Sequence, residues 1–168
     1  MKDLKVLVRE KEIKKHVKRI ANTLDGRYQG IGDKLVIVPI LQGAIPFFSD
    51  IAKAMTLDCL VDTVGVRSYV GKVQGEFDLY KDFNSNLSGK HVWLIDDIAD
   101  SGNTLTYLKD LVRQKGAISV HTCTMLKRKS CPIHVDLFGR EIDDEWVVGY
   151  GMDDENGLGR TLNDIVVI

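Results

Sequence analysis

Two short uninterrupted apolar runs constrain the fold more than any other feature of the chain. They are Leu35-Val36-Ile37-Val38-Pro39-Ile40 and Val92-Trp93-Leu94-Ile95, and each breaks at a small polar turn and continues into a helix-like segment. A strand with one wet face alternates apolar and polar residues, whereas a run that is apolar at every position must be covered on both sides. Strand, tight turn and helix repeated in this way are the parts of βαβ units, whose crossover helices supply that cover. The first run turns at Gly43 into a helical stretch from Ile45 to Met55. The second passes through Asp96 to Thr104 into a helix that carries Leu105, Leu108, Leu111 and Val112 on one face and ends near Gly116. Ile13, Val17, Ile20 and Leu24 recur at the helical period and predict an amphipathic helix over residues 10–24. Further strands are predicted from Cys59 to Arg67, Ser119 to Leu126 and Trp146 to Tyr150. The expectation is an α/β fold with a mostly parallel sheet flanked by helices. Ligands of such sheets gather beyond the carboxyl ends of the strands.

Length and composition narrow what this fold can do. With 168 residues, two independent cores would each be marginal, so 1–168 is read as a single domain. Lys and Arg total 23 against 24 Asp and Glu, a net charge of -1, so no global basic field exists to attract nucleic acid or an anionic membrane. An anionic ligand must be held locally. Cys59, Cys123 and Cys131 have neither C-x-x-C nor zinc spacing and are expected to be reduced thiols. The N-terminal MKDLKVLVRE is too charged for a signal-peptide core and no apolar run is long enough to span a membrane, which together predict a cytoplasmic protein. Ser68 to Leu87 is polar, contains glycine and lacks periodicity, the profile of a long functional loop.

The segment from Asp96 to Thr104 combines two chemistries. Around Ser101-Gly102-Asn103-Thr104, backbone N–H groups at a helix start, two hydroxyls and the helix dipole suit a phosphate without needing a lysine. Asp96 and Asp97 can accept hydrogen bonds from vicinal sugar hydroxyls or contact a metal shell, with Asp100 nearer the phosphate. A phosphorylated ribose would satisfy all of them. Helix capping by Asp100 or Ser101 beside a solvated acidic loop would also account for these residues. Neither G-x-x-x-x-G-K-[ST] nor G-x-G-x-x-G occurs.

Taken whole, Val92-Trp93-Leu94-Ile95-Asp96-Asp97-Ile98-Ala99-Asp100-Ser101-Gly102-Asn103-Thr104 resembles the phosphoribosyl-pyrophosphate signature of the type I phosphoribosyltransferases, and the acidic residue at Asp100 resembles their purine branch. Trp146-Val147-Val148-Gly149-Tyr150-Gly151-Met152-Asp153 and Arg160-Thr161-Leu162 resemble the same family's purine-binding strand and its continuation. The resemblance covers nearly the whole chain and implies a parallel sheet with a small hood made from the terminal segments. It implies transfer of phosphoribose to hypoxanthine or guanine with release of pyrophosphate, Mg²⁺ as cofactor, and a homodimer or homotetramer. A non-catalytic nucleotide-sensing regulator on the same fold would keep the same acidic loop.

The resemblance also implies residue roles. Asp100 would take the proton from N7. Asp96, Asp97, Ile98, Ala99, Ser101, Gly102, Asn103 and Thr104 would hold ribose and 5′-phosphate. Trp146 would stack on the purine, Val147 would offer backbone groups to the base edge, and Arg128, or a flanking Lys127 or Lys129, would read the 6-oxo group. Gln42, Gly43 and Arg160 would bind pyrophosphate, Asp153 would hold Mg²⁺, and Ser68 with Tyr69 would belong to a mobile lid. The family usually carries lysine where this chain has Gln42.

Overall fold

The computed structural model describes residues 4–68 and 77–168. Along the chain lie β1 (Lys5–Val8), α1 (Glu10–Tyr28), β2 (Leu35–Leu41), α2 (Ile45–Ala54), β3 (Leu60–Val61), β4 (Val64–Ser68) and β5 (Phe77–Lys81). They are followed by β6 (His91–Ala99), α3 (Asn103–Gln114), β7 (Ser119–Arg128), β8 (Leu137–Ile142), β9 (Val147–Val148) and β10 (Ile165–Val167). The main sheet has the order β5-β4-β2-β6-β7-β8, with β3 beside the start of β2. Every pairing in it is parallel except that of β5, which closes one edge antiparallel to β4.

The two apolar runs divide their side chains between two cores, as strands covered on both faces require. Leu35, Ile37, Trp93 and Ile95 pack with Ile13, Val17, Ile20 and Leu24 of α1 and with Phe47 and Ile51 of α2. Val36, Val38, Ile40, Val92 and Leu94 point the other way and pack with Leu105, Leu108 and Val112 of α3. Trp93 is fully buried, and its indole N–H donates to the Tyr28 hydroxyl at 2.9 Å, so the largest core side chain leaves no polar atom unpaired. The terminal segments form a second, three-stranded antiparallel sheet in the order β1-β10-β9, with Val6 opposite Val166 and Val166 opposite Val148. This is the hood.

Four expectations change. The fifth strand, expected from Trp146 to Tyr150, is only the two residues of β9 and belongs to the hood, because Gly149 and Tyr150 take positive φ and turn the chain away. The sixth main-sheet position is filled by β8, whose half-buried residues carry no clean alternation in the sequence. Part of the polar stretch from Ser68 to Leu87 is ordered as β5, where Leu79 packs on the α3 side and Tyr80 lies over Gly65. The acidic pair expected in a loop lies inside β6, since β7 continues the ladder alongside it, pairing Asp96 with Thr124 and Ala99 with Lys127. The three cysteines are free thiols, Cys123 and Cys131 buried and Cys59 half-buried.

Candidate active site

At the carboxyl end of β6 the chain runs directly from strand to turn to helix. Ile98 and Ala99 complete the strand, Asp100 to Gly102 form the turn, and Asn103 opens α3. Gly102 caps the helix with φ 78°, and a Cβ there would also stand 2.6 Å from Ile133, so both backbone and space demand glycine. The Ser101 hydroxyl sits 3.4 Å from the Asn103 N–H. Asp96, Ile98, Ala99, Asp100, Ser101, Gly102, Thr104 and Leu105 line a small cavity of about 70 Å³, roomy enough for an anion the size of a phosphate.

The two strand carboxylates are crowded together. The Asp97 N–H donates to Asp96 Oδ1 at 3.0 Å, and the Ile98 N–H donates to Asp97 Oδ1 at 2.7 Å. Burial, reinforced by the charge of Asp97, pushes the Asp96 carboxyl well above the usual carboxylate range. Burial also raises Asp97, against the opposing pull of its hydrogen bonds and of the Arg160 charge. The pair therefore holds a proton more tightly than two separate carboxylates would.

The turn between β2 and α2 lies against this pair. The Leu41–Gln42 peptide is cis. A Cβ on Gly43 would come within 1.9 Å of Asp97 Oδ2, and a Cβ on Gly151 would come within 2.0 Å of the Gly43 carbonyl oxygen. Three stretches far apart in sequence thus meet, the Gly43 backbone against the Asp97 carboxylate and against the Gly151 backbone, and bare glycines are what allow it. Gln42 and Gly43 are both placed at this junction.

Arg160 ties the third stretch together, donating to the Gly151 carbonyl and pairing with Asp153 Oδ2. Among the described residues Asp153 Oδ1 receives no hydrogen bond, and no group of three or more His, Cys, Asp or Glu side chains could hold a metal by itself. One carboxylate completed by substrate oxygens and water is how Mg²⁺ is commonly held beside a diphosphate, so Asp153 fits this ion. Tyr150 sits between the two glycines with φ 52°, unusual for a residue with a side chain. It is fixed by a 2.8 Å hydrogen bond from its hydroxyl to Asp50 Oδ2 and another of 2.8 Å from its N–H to the Leu162 carbonyl. Burial, then the neighbouring Asp50, pushes this phenol up. Asp50 and Tyr150 escaped the sequence reading because the contact that makes them matter spans half the chain.

Trp146 stands just before β9 with 76% of its surface exposed, beside a cavity of about 510 Å³ also lined by Asp153, Asp154, Glu155, Asn156 and Ile168. An apolar indole this exposed is a ready stacking face, and no part of the core depends on it. Val147 is buried in the hood. Arg128 is expected at the base edge, yet it ends β7 almost fully buried, with Nε 2.9 Å from Asp100 Oδ1 and Nη1 donating to the carbonyls of Asp143 at 3.1 Å and Glu145 at 2.9 Å. Its Nη2 makes no hydrogen bond among the described residues. Lys127 pairs with Glu141 and Lys129 with Asp143. Ser68 ends β4, and Tyr69 lies outside the described residues.

Residues 4–155 match the model of the phosphoribosyl transferase domain. The chain is 36% identical over 154 residues to the hypoxanthine-guanine phosphoribosyltransferase of Bacillus subtilis, covering 89% of this chain and 84% of that protein. It is equally similar to the bifunctional protein TilS/HprT of Listeria innocua, 36% over 154 residues, but spans only 24% of the length of that relative. A crystal structure of a hypoxanthine phosphoribosyltransferase from Staphylococcus aureus superposes with a TM-score of 0.92 at 34% identity, covering 99% of this chain and 92% of that one. The enzyme from Trypanosoma cruzi in complex with the product IMP superposes with a TM-score of 0.91 at 27% identity, covering 99% of this chain and 95% of that one. The α/β fold with its mostly parallel sheet is therefore shared with these structures, and the chain belongs to the phosphoribosyltransferase family, in its hypoxanthine-guanine group.

Proposed function

We propose that the protein transfers phosphoribose from 5-phosphoribosyl 1-pyrophosphate to hypoxanthine or guanine, giving IMP or GMP and pyrophosphate in purine salvage. The observation that carries this reading is the junction at Gly43. It brings the acidic strand end within reach of the Gly151 turn and leaves a phosphate-sized cavity on one side and an exposed indole on the other. A phosphorylated sugar with a diphosphate at one end and a flat base alongside matches that layout.

In this reading the amides around Ser101 to Thr104 and the start of α3 hold the 5′-phosphate, while Asp96 and Asp97 accept the ribose hydroxyls. The backbone at Gln42 and Gly43, together with Arg160, receives the leaving pyrophosphate. Mg²⁺, when bound at Asp153, supplies charge neutralisation for that diphosphate. Trp146 stacks on the purine, Val147 offers backbone groups to its edge, and the unengaged Nη2 of Arg128 is the donor left for the 6-oxo group. Asp100 takes the proton from N7 as the ring nitrogen attacks the anomeric carbon, and most of the rate comes from positioning and charge stabilisation. The same reading takes 1–168 as one catalytic domain, cytoplasmic, working as a homodimer or homotetramer. Among the described residues no helix is long and apolar enough to cross a membrane.

The test is product formation by the purified protein with Mg²⁺, phosphoribosyl pyrophosphate and, separately, hypoxanthine, guanine, xanthine, adenine and uracil. Turnover with hypoxanthine or guanine is the expected result. Nucleotide binding with no turnover on any base would replace the enzyme with a nucleotide sensor.

A further inference from the structure

Among the described residues, Arg128 makes the only side-chain polar link between the Asp100 turn and the Asp143–Glu145 turn. Its guanidinium donates to the carbonyls of Asp143 and Glu145 and so, with the Lys129–Asp143 and Ser130–Asp144 side-chain contacts, holds the turn that delivers Trp146. Its Nε then faces Asp100, which lies in a different strand–helix connection. The pair is asymmetric: the arginine side chain is 9% exposed and the aspartate 68%. An exposed carboxylate gains little from an ion pair, but a buried guanidinium stripped of partners is costly, so the arginine is the fixed member and Asp100 the one held in place. A lysine ammonium at this position is a single point charge and lacks the planar fork needed to serve a carboxylate and two carbonyls together. Neither neighbour can substitute, since Lys127 is paired with Glu141 at 3.0 Å and Lys129 with Asp143 at 2.7 Å.

We infer that Arg128 is a positioning residue that braces Asp100 to the Asp143–Glu145 turn, so that the proton acceptor and the stacking face of Trp146 keep one fixed separation before any ligand binds. The roles given to Asp100 and Trp146 rest on the proposed transferase reading. The brace itself does not, and it can be measured without substrate.

The experiment uses the full chain labelled with 5-fluorotryptophan. It has two fluorine resonances, from Trp93 and Trp146, assigned with Trp146→Phe. In the ligand-free protein, Arg128→Lys and Arg128→Gln should shift and broaden the Trp146 resonance and leave that of the distant, buried Trp93 in place. Asp100→Asn should leave both in place, because the carbonyl contacts remain. With hypoxanthine as substrate, Arg128→Lys should lower kcat about 10- to 100-fold, the size of effect expected when reacting groups lose their alignment. In the Asp100→Asn background the same change should lower kcat no more than roughly twofold, since coupled residues are not additive, while any loss of the proposed 6-oxo contact falls on KM equally in both backgrounds. A Trp146 resonance unmoved in both arginine variants would overturn the brace, and so would a rise in KM alone that adds fully to the Asp100→Asn effect. A wild-type protein without turnover would sink the transferase reading, while the fluorine spectra would still decide the brace.

Discussion

The side of the site proposed to hold phosphate and the side proposed to hold purine are built in opposite ways. On the phosphate side, Asp96 to Thr104 run consecutively through the end of β6, a turn and the start of α3, so the cavity is made by one local stretch on a rigid strand. On the proposed purine side, Trp146 stands just before a two-residue strand of the hood, its turn is held by Arg128 from β7, and its neighbour Asp153 is held by Arg160. The first half depends on local geometry and the second on contacts between distant segments. The difference teaches where substitutions act: on the phosphate side they change chemistry, and on the purine side they change placement.

The contact between the halves is broken most severely at Asp100. Asp100→Asn should lower kcat about 10²–10⁴-fold, the usual contribution of a general base, with only a small shift of the melting curve because two carbonyls still hold the buried Arg128 guanidinium. Near-normal turnover would remove Asp100 from the mechanism. At the junction, Gly43→Ala adds a carbon 1.9 Å from Asp97 Oδ2, so either the Asp97 carboxylate must rotate out of place or the β2–α2 turn must move off the acidic strand end. Steady-state kinetics should show a fall of about 10²-fold in kcat/KM for phosphoribosyl pyrophosphate, the scale of a displacement near 1 Å. A variant with wild-type constants would mean that the junction is mere packing.

Trp146→Ala separates the two halves more gently. Stacking contributes on the order of 1–3 kcal/mol per base, so base affinity should weaken roughly 5- to 150-fold while kcat at saturation changes less. Stability should hold, since 76% of the indole surface is exposed. Unchanged affinity for IMP in a binding titration would sink the stacking role.

The smallest effect sharpens the local half. The Asp96 carboxyl is raised in the folded state, so folding favours its protonated form. Its stabilising contribution is complete below the unfolded value, near pH 4, and is lost as pH rises through the folded value, above which a crowded charge remains. Asp96→Asn should therefore melt a few degrees higher than the wild type at pH 7, with the gap narrowing toward pH 4 in calorimetry, even as turnover falls. A variant that melts lower at pH 7 would show that the charge is stabilised where it stands.

How much of this was legible in the sequence follows the same division. The βαβ core was legible because a two-sided strand needs uninterrupted apolar residues, and Leu35 to Ile40 and Val92 to Ile95 have them. The strand–turn–helix passage from Asp96 to Thr104 was legible because its residues are consecutive. β8 and β1 were not, since half-buried edge strands carry weak patterns, and β10 is only three residues long. The true length of β6 was hidden because Asp96 and Asp97 look like loop residues until the ladder with β7 is seen.

The sequence by itself determined which segments become buried strands, which face each helix presents, and the order of chemistry from Asp96 to Thr104, because all of these are set by spacing along one chain. Only the tertiary structure decided that Gly43 touches both Asp97 and Gly151, that Tyr150 is held upright by Asp50, and that Arg128 is spent largely on Asp100 and two carbonyls. Such contacts join residues whose separation along the chain carries no periodic signal. They exist only because the sheet order and the hood bring those backbones within a few ångströms of one another.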